Sequence, residues 1–484
     1  MSWVLIVILM VPLLTSLVCW WAPALIGQYL TLISGVATFA LALALIPTKT
    51  VSAFSGWLQV DALSIVFLVT VAFLYGATSV FAIGYVRSSG NKASEGNYNR
   101  RLFAGINLFA WSMALATIVN GLALLWVAIE ITTVVSALLV AIEGTDGASE
   151  AAWKYVLIAS IGLGIALFGT IIMYYAGSTV FGSGYELFYS KLLSGASHFP
   201  PQVMRLAFVL AVLGYGTKMG LAPLHTWLPD AHSEAPTPVS ALLSGALLAV
   251  SFYAILRFYQ VTERAVGPTF PRDILLAFGL ASLGLAALFL SSQEDLKRMF
   301  AYSSVEHMGI LAIGMSFSAK IAIIGVLLHV LAHAPAKATA FFGAGSAVRK
   351  FGSKDMTKMR GGISLLPWSG TMLVLAVLAL CAMPPFGIFR SEFLIVSGGL
   401  SNSRDFIAAV LIVAVSIASL GLTWFTSQTM ITAPSADSVR GEISGWIVAS
   451  MLIGLAALVV LGIHPPGQLS DLLGRAANEL GVGR

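Results

Sequence analysis

A lysine, two glutamates and a group of histidines lie inside stretches otherwise built from apolar side chains, and together they could move protons or ions. The run 204–220 is apolar except for Arg205 at its start and Lys218 near its end. An ammonium at bilayer depth costs about 2.5–3.5 kcal/mol on insertion scales, and such residues usually mark ion pathways. Glu130 lies in the apolar run 122–142, flanked by Trp126, Val127, Ile129 and Ile131. A lysine releases its proton more readily when desolvated and less readily beside a carboxylate. Glu130 and Lys218 are therefore expected to pair, and movement of Glu130 would switch Lys218 between holding and releasing a proton. The central placement of both argues against charges snorkelling from helix ends.

His329, His333 and Lys337 are spaced by four residues. On a helix such residues are neighbours, about 5–6 Å apart at Cβ, so two imidazoles and an ammonium form one stripe. Histidine titrates near neutral pH, which suits a proton relay, although two core histidines bonded to neighbours would look the same. Pro335 falls within the stripe and leaves the carbonyl of Leu331 without its usual donor, an opening for water. The series is completed by His225, with Asp230 and His232 at its edge, and by His307 and Glu392. His307 and Glu306, after Ser303 and Ser304, fit a hydrogen-bonding role at a helix start equally well. Lys297 and Arg298, following Glu294 and Asp295, read as a solvated loop, and Lys297 is a secondary candidate. No ligand set of metal-site or haem spacing is evident, so no metal is expected.

These residues need helices to hold them. Apolar runs of spanning length fall at 2–22, 24–46, 61–86, 102–120, 122–142, 153–176, 204–230, 237–259, 274–291, 299–317, 321–346, 365–400, 406–430 and 444–463, an all-α polytopic plan of about fourteen transmembrane helices. Two of the runs are broken. Pro223 cannot donate to the carbonyl of Met219, and Pro384-Pro385 interrupts the later run before Gly387 and Glu392; broken helices beside buried charge are how many transporters build a mid-membrane site. Each break falls in the fourth member of a set of five helices, which suggests two inverted five-helix repeats. The expected units are 1–100 (helices one to three), 101–260 and 261–430 (the two sets of five), and 431–484 (a last helix and short tail). The basic clusters Arg87, Lys92, Arg100, Arg101 and Arg349, Lys350, Lys354, Lys358, Arg360 both follow odd-numbered spans, so they share a side. The positive-inside rule makes that side cytoplasmic and places both termini opposite, with Lys191, Arg264 and Arg272.

Composition bounds the class. Of 484 residues, 58% are hydrophobic and 10% charged, with a mean hydropathy of +0.92, more apolar surface than a water-soluble chain can hide. The net charge of +5 is small and its basic residues lie in loops, which excludes a nucleic-acid groove. Cys19 and Cys381 both lie in apolar runs, too few for a disulfide framework or an iron–sulfur cluster. The run 2–22 has no basic start or cleavage site and is expected to be a retained first helix. The polar stretches 87–101, 177–203 and 464–484 are too short for a soluble domain.

The stretch from Gly216 to Pro236, GTKMGLAPLHTWLPDAHSEAP, resembles the signature of antiporter-like subunits of respiratory complex I, of Mrp-type Na⁺/H⁺ antiporters and of energy-converting hydrogenases. Supporting matches are Asp295-Leu296-Lys297-Arg298, Ala301 to Ser304, His307-Met308-Gly309, His333 to Lys337, Pro384-Pro385-Phe386-Gly387 and Ser391-Glu392-Phe393, so the resemblance covers about 100–430. The run from Pro238 to Leu248 looks most like the hydrogenase-4 component F branch, found in formate hydrogenlyase-type complexes. The resemblance implies that Glu130 is the glutamate of the fifth helix, Lys218 its partner in the seventh, Lys337 the central lysine of the eleventh and Glu392 the terminal residue of the broken twelfth. It implies a hydrated polar axis along the membrane midplane, driven by redox chemistry in a separate peripheral arm. This sequence departs from the pattern in its eighth helix. Relatives usually carry lysine or histidine near the positions of Ser244 and Ala249, and here no acid, lysine or histidine occurs between Glu234 and Arg257. A link from Lys218 to Lys337 then needs water, or Ser244, Ser251 and Tyr253. The long lateral helix of the most distal complex I subunit is also not expected.

The reading is a proton-translocating membrane subunit of a multisubunit redox complex, of the hydrogenase or NADH–quinone oxidoreductase type. It would sit in a bacterial or archaeal cell membrane beside other membrane subunits and bind no redox cofactor itself, with nickel–iron and iron–sulfur centres in partner subunits. The alternatives are an Mrp-type cation/proton antiporter subunit and a non-conducting scaffold for a hydrogenase arm.

Overall fold

A computed structural model describes residues 1–88, 95–434 and 439–481; Lys92 of the first basic cluster lies outside them. Helices α1 (Ser2–Trp21) and α2 (Ala24–Ala44) lead to a short hairpin, β1 (Val51–Ala53) and β2 (Leu58–Val60), antiparallel with Val51 opposite Val60, and then to α3 (Ala62–Arg87). The first set follows as α4 (Glu95–Ile118), α5 (Leu122–Val140), α6 (Asp146–Phe181), the short α7 (Tyr189–Gly195), the interrupted pair α8 (Pro201–Met219) and α9 (Trp227–Glu234), and α10 (Thr237–Leu242) with α11 (Leu248–Val266). The second set is α12 (Thr269–Leu290), α13 (Leu296–Ser316), α14 (Lys320–Phe351), the short α15 (Gly362–Leu365), the interrupted pair α16 (Ser369–Leu380) and α17 (Gly387–Ser401), and α18 (Asp405–Met430). Helices α19 (Gly445–Ile463) and α20 (Gly467–Glu479) close the chain.

Among the described residues, eleven helices are long and apolar enough to cross a membrane. The other three segments expected to span, α8, α13 and α16–α17, are helical too, and each is interrupted or carries buried charge. The helices divide by position. The apolar window of Thr237–Val266 is wholly buried, those of α3 and α14 are 89% buried, and that of α18 only 28%. An apolar helix left so open has no place in water, so the outer helices present a lipid-facing surface around a polar interior.

Both breaks are helix stops of one kind. Helix α8 ends at Gly220, φ +83°, where Leu221 N–H donates to Gly216 O (2.9 Å) and Gly220 N–H to Thr217 O (3.3 Å). This is the paired-bond C-terminal motif that glycine favours, so the stop precedes Pro223 by three residues. A Cβ at Gly220 would stand 2.5 Å from Leu228 Cδ1. Helix α16 stops in the same way at Ala382, φ +52°, with Met383 N–H donating to Leu378 O (3.0 Å) and Ala382 N–H to Ala379 O (3.2 Å). Helix α14, by contrast, runs through Pro335 unbroken. Helices α10 and α11 are joined by a π-helical turn over Leu243–Leu247.

The two ends of the bundle differ. Arg349, at the end of α14, bonds the carbonyl of Tyr85 and the hydroxyl of Ser88 at the end of α3, so the basic clusters around Arg87 and Arg349 meet at one end. At the other end, Arg264 donates to Leu193 O (3.2 Å), and Glu479 of α20 accepts from the first amides of α3, Ala62 N (3.0 Å) and Leu63 N (2.9 Å).

Candidate functional site: two buried polar clusters

The first cluster surrounds Lys218, which lies in the last turn of α8, where the exposed carbonyl end of a half-helix favours a cation. The side chain is fully buried. Its Nζ donates to Thr133 Oγ1 on α5 and to Tyr155 OH on α6 (3.0 Å). Tyr155 OH shares a hydrogen bond with Ser136 Oγ (2.7 Å), and the Tyr155 ring packs on Trp227 at 4.4 Å between centroids. Trp227 Nε1 in turn donates to Thr217 O (2.8 Å), which ties the two sides of the break together. The hydroxyl shell makes the direct contacts to the ammonium and no ion pair joins it to Glu130 among the described residues, but the Glu130 carboxylate is near enough for its charge to act on Lys218 through space. Glu130 is half-buried, accepts from Ser160 Oγ at 3.4 Å, and has Oε2 unpartnered. The reason is geometric: Thr133, one turn along α5 from Glu130, reaches the ammonium first. His225 lies in the break, buried, with Nδ1 unpartnered and its ring 6.3 Å from that of Tyr302, and it joins neither cluster.

The second cluster surrounds His307 on α13, which the sequence left as an even choice between structural and functional roles. His307 Nδ1 and His329 Nε2 are 3.1 Å apart, and His329 Nδ1 is 2.9 Å from Ser391 Oγ on α17. His333 stands beside them, its ring centroid 5.2 Å from His307 and 6.3 Å from His329. The stripe of α14 is therefore a three-imidazole group shared with α13. Its final member turns elsewhere: Lys337 Nζ donates to Phe300 O at 3.0 Å, and its charge interacts with Glu306 rather than forming a bond to His333. Four buried side chains of this cluster retain an unpartnered atom, His307 Nε2, His333 Nε2, Glu306 Oε2 and Glu392 Oε1. His307, His329 and Glu392 also bring one ligating atom each to within 4.8 Å of one another. Sequence spacing concealed this trio because its members come from three helices. Glu392 forms part of the wall of a cavity of about 570 Å³ that reaches the lipid-facing residues Ile412 and Leu420.

Lys297 corrects the loop reading. It is buried in the first turn of α13, and its Nζ donates to the carbonyls of Ser233 (3.0 Å) and Ala235 (2.5 Å) at the end of α9. Arg298 forms an ion pair with Asp230 (2.6 Å). A cavity of about 260 Å³ at the basic end of the bundle is lined by Glu143, Glu234, Lys297 and Lys354. His232, between this cavity and the interior, stacks on Phe341 with both ring nitrogens unpartnered.

The eighth helix has no ionisable group at this depth, and its hydroxyls divide. Ser244, in the π-helical turn, is 2.8 Å from Ser304 Oγ. Ser304 donates to Phe300 O (3.0 Å), the same carbonyl that accepts from Lys337, so Ser244 belongs to the second cluster. Ser251 turns back to Leu247 O (3.0 Å), and Tyr253 bonds Ser64 Oγ (2.9 Å) beside the ion pair of Arg257 with Asp61 (2.6 Å). Neither lies on a link between the lysines. Thr133, Ser136, Tyr155 and Ser160 escaped the sequence reading because hydroxyls are common in membrane helices. The three-residue spacing of Glu130 and Thr133 was the one signal available.

Residues 119–418 match the family described as NADH:quinone oxidoreductase/Mrp antiporter, transmembrane. The chain is 36% identical over 383 residues to a hydrogenase-4 component F homolog of Methylacidiphilum infernorum, across 78% of this chain and 80% of the relative. It is 28% identical over 417 residues to hydrogenase-4 component B of Escherichia coli, where 84% of this chain spans 55% of a longer protein. Its fold superposes with a TM-score of 0.86 on a chain of an archaeal membrane-bound sulfane sulfur reductase, at 20% identity and covering 99% of this chain and 97% of that one. Together with its apolar helices, these matches show that the chain is a multi-pass membrane protein belonging to the NADH:quinone oxidoreductase/Mrp antiporter family, as an antiporter-like subunit.

Proposed function

We propose that this chain moves protons along its buried lysine, histidine and glutamate side chains as a membrane subunit of a hydrogenase-type redox complex. The observation that carries this is the second cluster: three imidazoles, two carboxylates and an ammonium packed across α13, α14 and α17, with four polar atoms left unpartnered. Buried polar atoms are normally satisfied, and a set left open side by side in a membrane interior suits water or a mobile proton. Glu130, Lys218, His329, His333, Lys337 and Glu392 would hold the proton in turn, with His307 bridging α13 to α14. Lys297 stands where a proton would enter from the basic, cytoplasmic end, and the termini would lie on the opposite side. The likeness to a hydrogenase-4 component F homolog supports partner membrane subunits and a peripheral redox arm. Nickel–iron and iron–sulfur centres would belong to that arm, because Cys19 and Cys381 lie in separate helical regions, each donating to a backbone carbonyl, and cannot jointly ligate a cluster.

An Mrp-type antiporter subunit is the second reading, favoured by the family description itself. Proton uptake by the purified complex in sealed vesicles, driven by its electron donor, tests the first. Lys218→Ala and Lys337→Ala should each abolish uptake while electron transfer persists. Unaltered uptake in both variants would leave only a scaffold, and uptake driven by a sodium gradient without a redox partner would favour the antiporter.

A further inference from the structure

The trio His307, His329 and Glu392 has a chemistry that proton transfer does not exhaust. Two imidazoles and a carboxylate are the donor set of borderline divalent ions such as Zn²⁺, commonly with a fourth position left open. The geometry suits one. In a tetrahedral site with metal–nitrogen distances of about 2.0–2.1 Å, neighbouring ligand nitrogens lie about 3.3 Å apart. The His307 Nδ1 to His329 Nε2 separation is 3.1 Å, close to that value, so an ion could replace the shared proton once the two rings turn their lone pairs onto a common point beside the line joining them. The ligating atoms of all three residues lie within 4.8 Å of one another. Three further features support a built site. Ser391 Oγ, 2.9 Å from His329 Nδ1, orients that ring from outside, as outer hydrogen bonds do for metal-bound histidines. Glu392 Oε1 has no partner. The carboxylates of Glu392 and Glu306 supply the charge that a divalent ion needs beside Lys337.

We propose that His307, His329 and Glu392 form a binding site for a zinc-like divalent cation. His333, with its Nε2 unpartnered and its ring 5.2 Å from that of His307, is a further imidazole beside the trio. An ion seated there would occupy the nitrogens that the proposed relay uses and stop proton movement. That consequence rests on the proposed function, whereas binding itself does not.

The test is made on the full chain, free of affinity tag and purified in detergent, with Co²⁺ as the optical probe and Zn²⁺ as competitor. The expected result is one Co²⁺ per chain with the intense visible absorption of a tetrahedral ion, displaced by Zn²⁺, and weakened at least about tenfold by Glu392→Gln or His307→Gln. His464→Gln, near the surface, should change nothing. Zn²⁺ should also raise the thermal midpoint of the native chain but not of Glu392→Gln, so a variant that folds poorly is recognised by its own midpoint. Absence of a tetrahedral spectrum, or a spectrum retained in Glu392→Gln and lost in His464→Gln, would overturn the site.

Discussion

The neighbourhoods of Lys218 and Lys337 each bury one ammonium, and they accommodate it differently. Lys218 sits at the open end of a half-helix and is wrapped by hydroxyls from Thr133 and Tyr155, with Glu130 acting on it through space and bonded to Ser160. Lys337 lies in the middle of an unbroken helix, satisfied by one backbone carbonyl of α13, and its charge acts through space on Glu306 and His333. Hydroxyl groups do not titrate near neutral pH, whereas imidazoles do. Under the proposed function, the first neighbourhood would act as a single loading station and the second as a chain of stations. The helix stops repeat the contrast: Gly220 adopts its left-handed conformation without cost, and Ala382 adopts the same conformation with a Cβ.

The contrast between the two lysine neighbourhoods can be tested by substitution. Short of the complete loss expected for the two lysine variants, the largest effect is expected from His307→Ala, which removes the bridge between α13 and α14 and should lower proton transport by the complex on the order of a hundredfold. Tyr155→Phe removes one of two acceptors from Lys218 and should cost only about tenfold in the same vesicle assay. Equal losses would erase the distinction between station and chain. Next, Gly220→Ala places a Cβ against Leu228 in a left-handed residue and should lower stability by about 2 kcal/mol or more, read as a fall in thermal midpoint of the purified chain. Ala382→Gly should act in the opposite direction, raising stability by about 0.5–1 kcal/mol.

The smallest effect concerns α20, which packs on α3 and α14 and bonds Gln260 of α11 through Glu479 O (3.0 Å), so that it touches both halves. Burial, together with the Asp61 carboxylate, pushes the Glu479 carboxyl up to about 7. Between its ordinary 4.5 and about 7, the docked helix keeps a proton that a released one would lose. Docking should therefore be firmest below that window and loosen as pH rises through 7. Hydrogen exchange of α20 amides, corrected for intrinsic rates, should show this between pH 5.5 and 8, and Glu479→Gln should flatten it.

Much of the architecture was legible because a bilayer imposes simple rules. Apolar run length marked the helices, and Pro223 and Pro384-Pro385 marked the breaks to within a few residues, although Gly220 and Ala382 make the actual stops. The burial of Lys218, His329, His333, Lys337 and Glu392, and the partial burial of Glu130, followed from charge set in apolar surroundings. What those groups touch did not follow. Lys297 looked solvated because it neighbours three other charges, yet the end of α9 covers it.

By itself, then, the sequence determined a polytopic helical chain, its two interrupted helices and the set of polar groups withdrawn from water, since each of these is settled by the cost of placing a local stretch in lipid. Packing settled that Thr133 bonds Lys218 directly while Glu130 acts on it through space, that His307 completes the histidine group, and that Ser244 serves the second cluster. Those pairings depend on the rotation and depth of one helix against another, which no local spacing encodes.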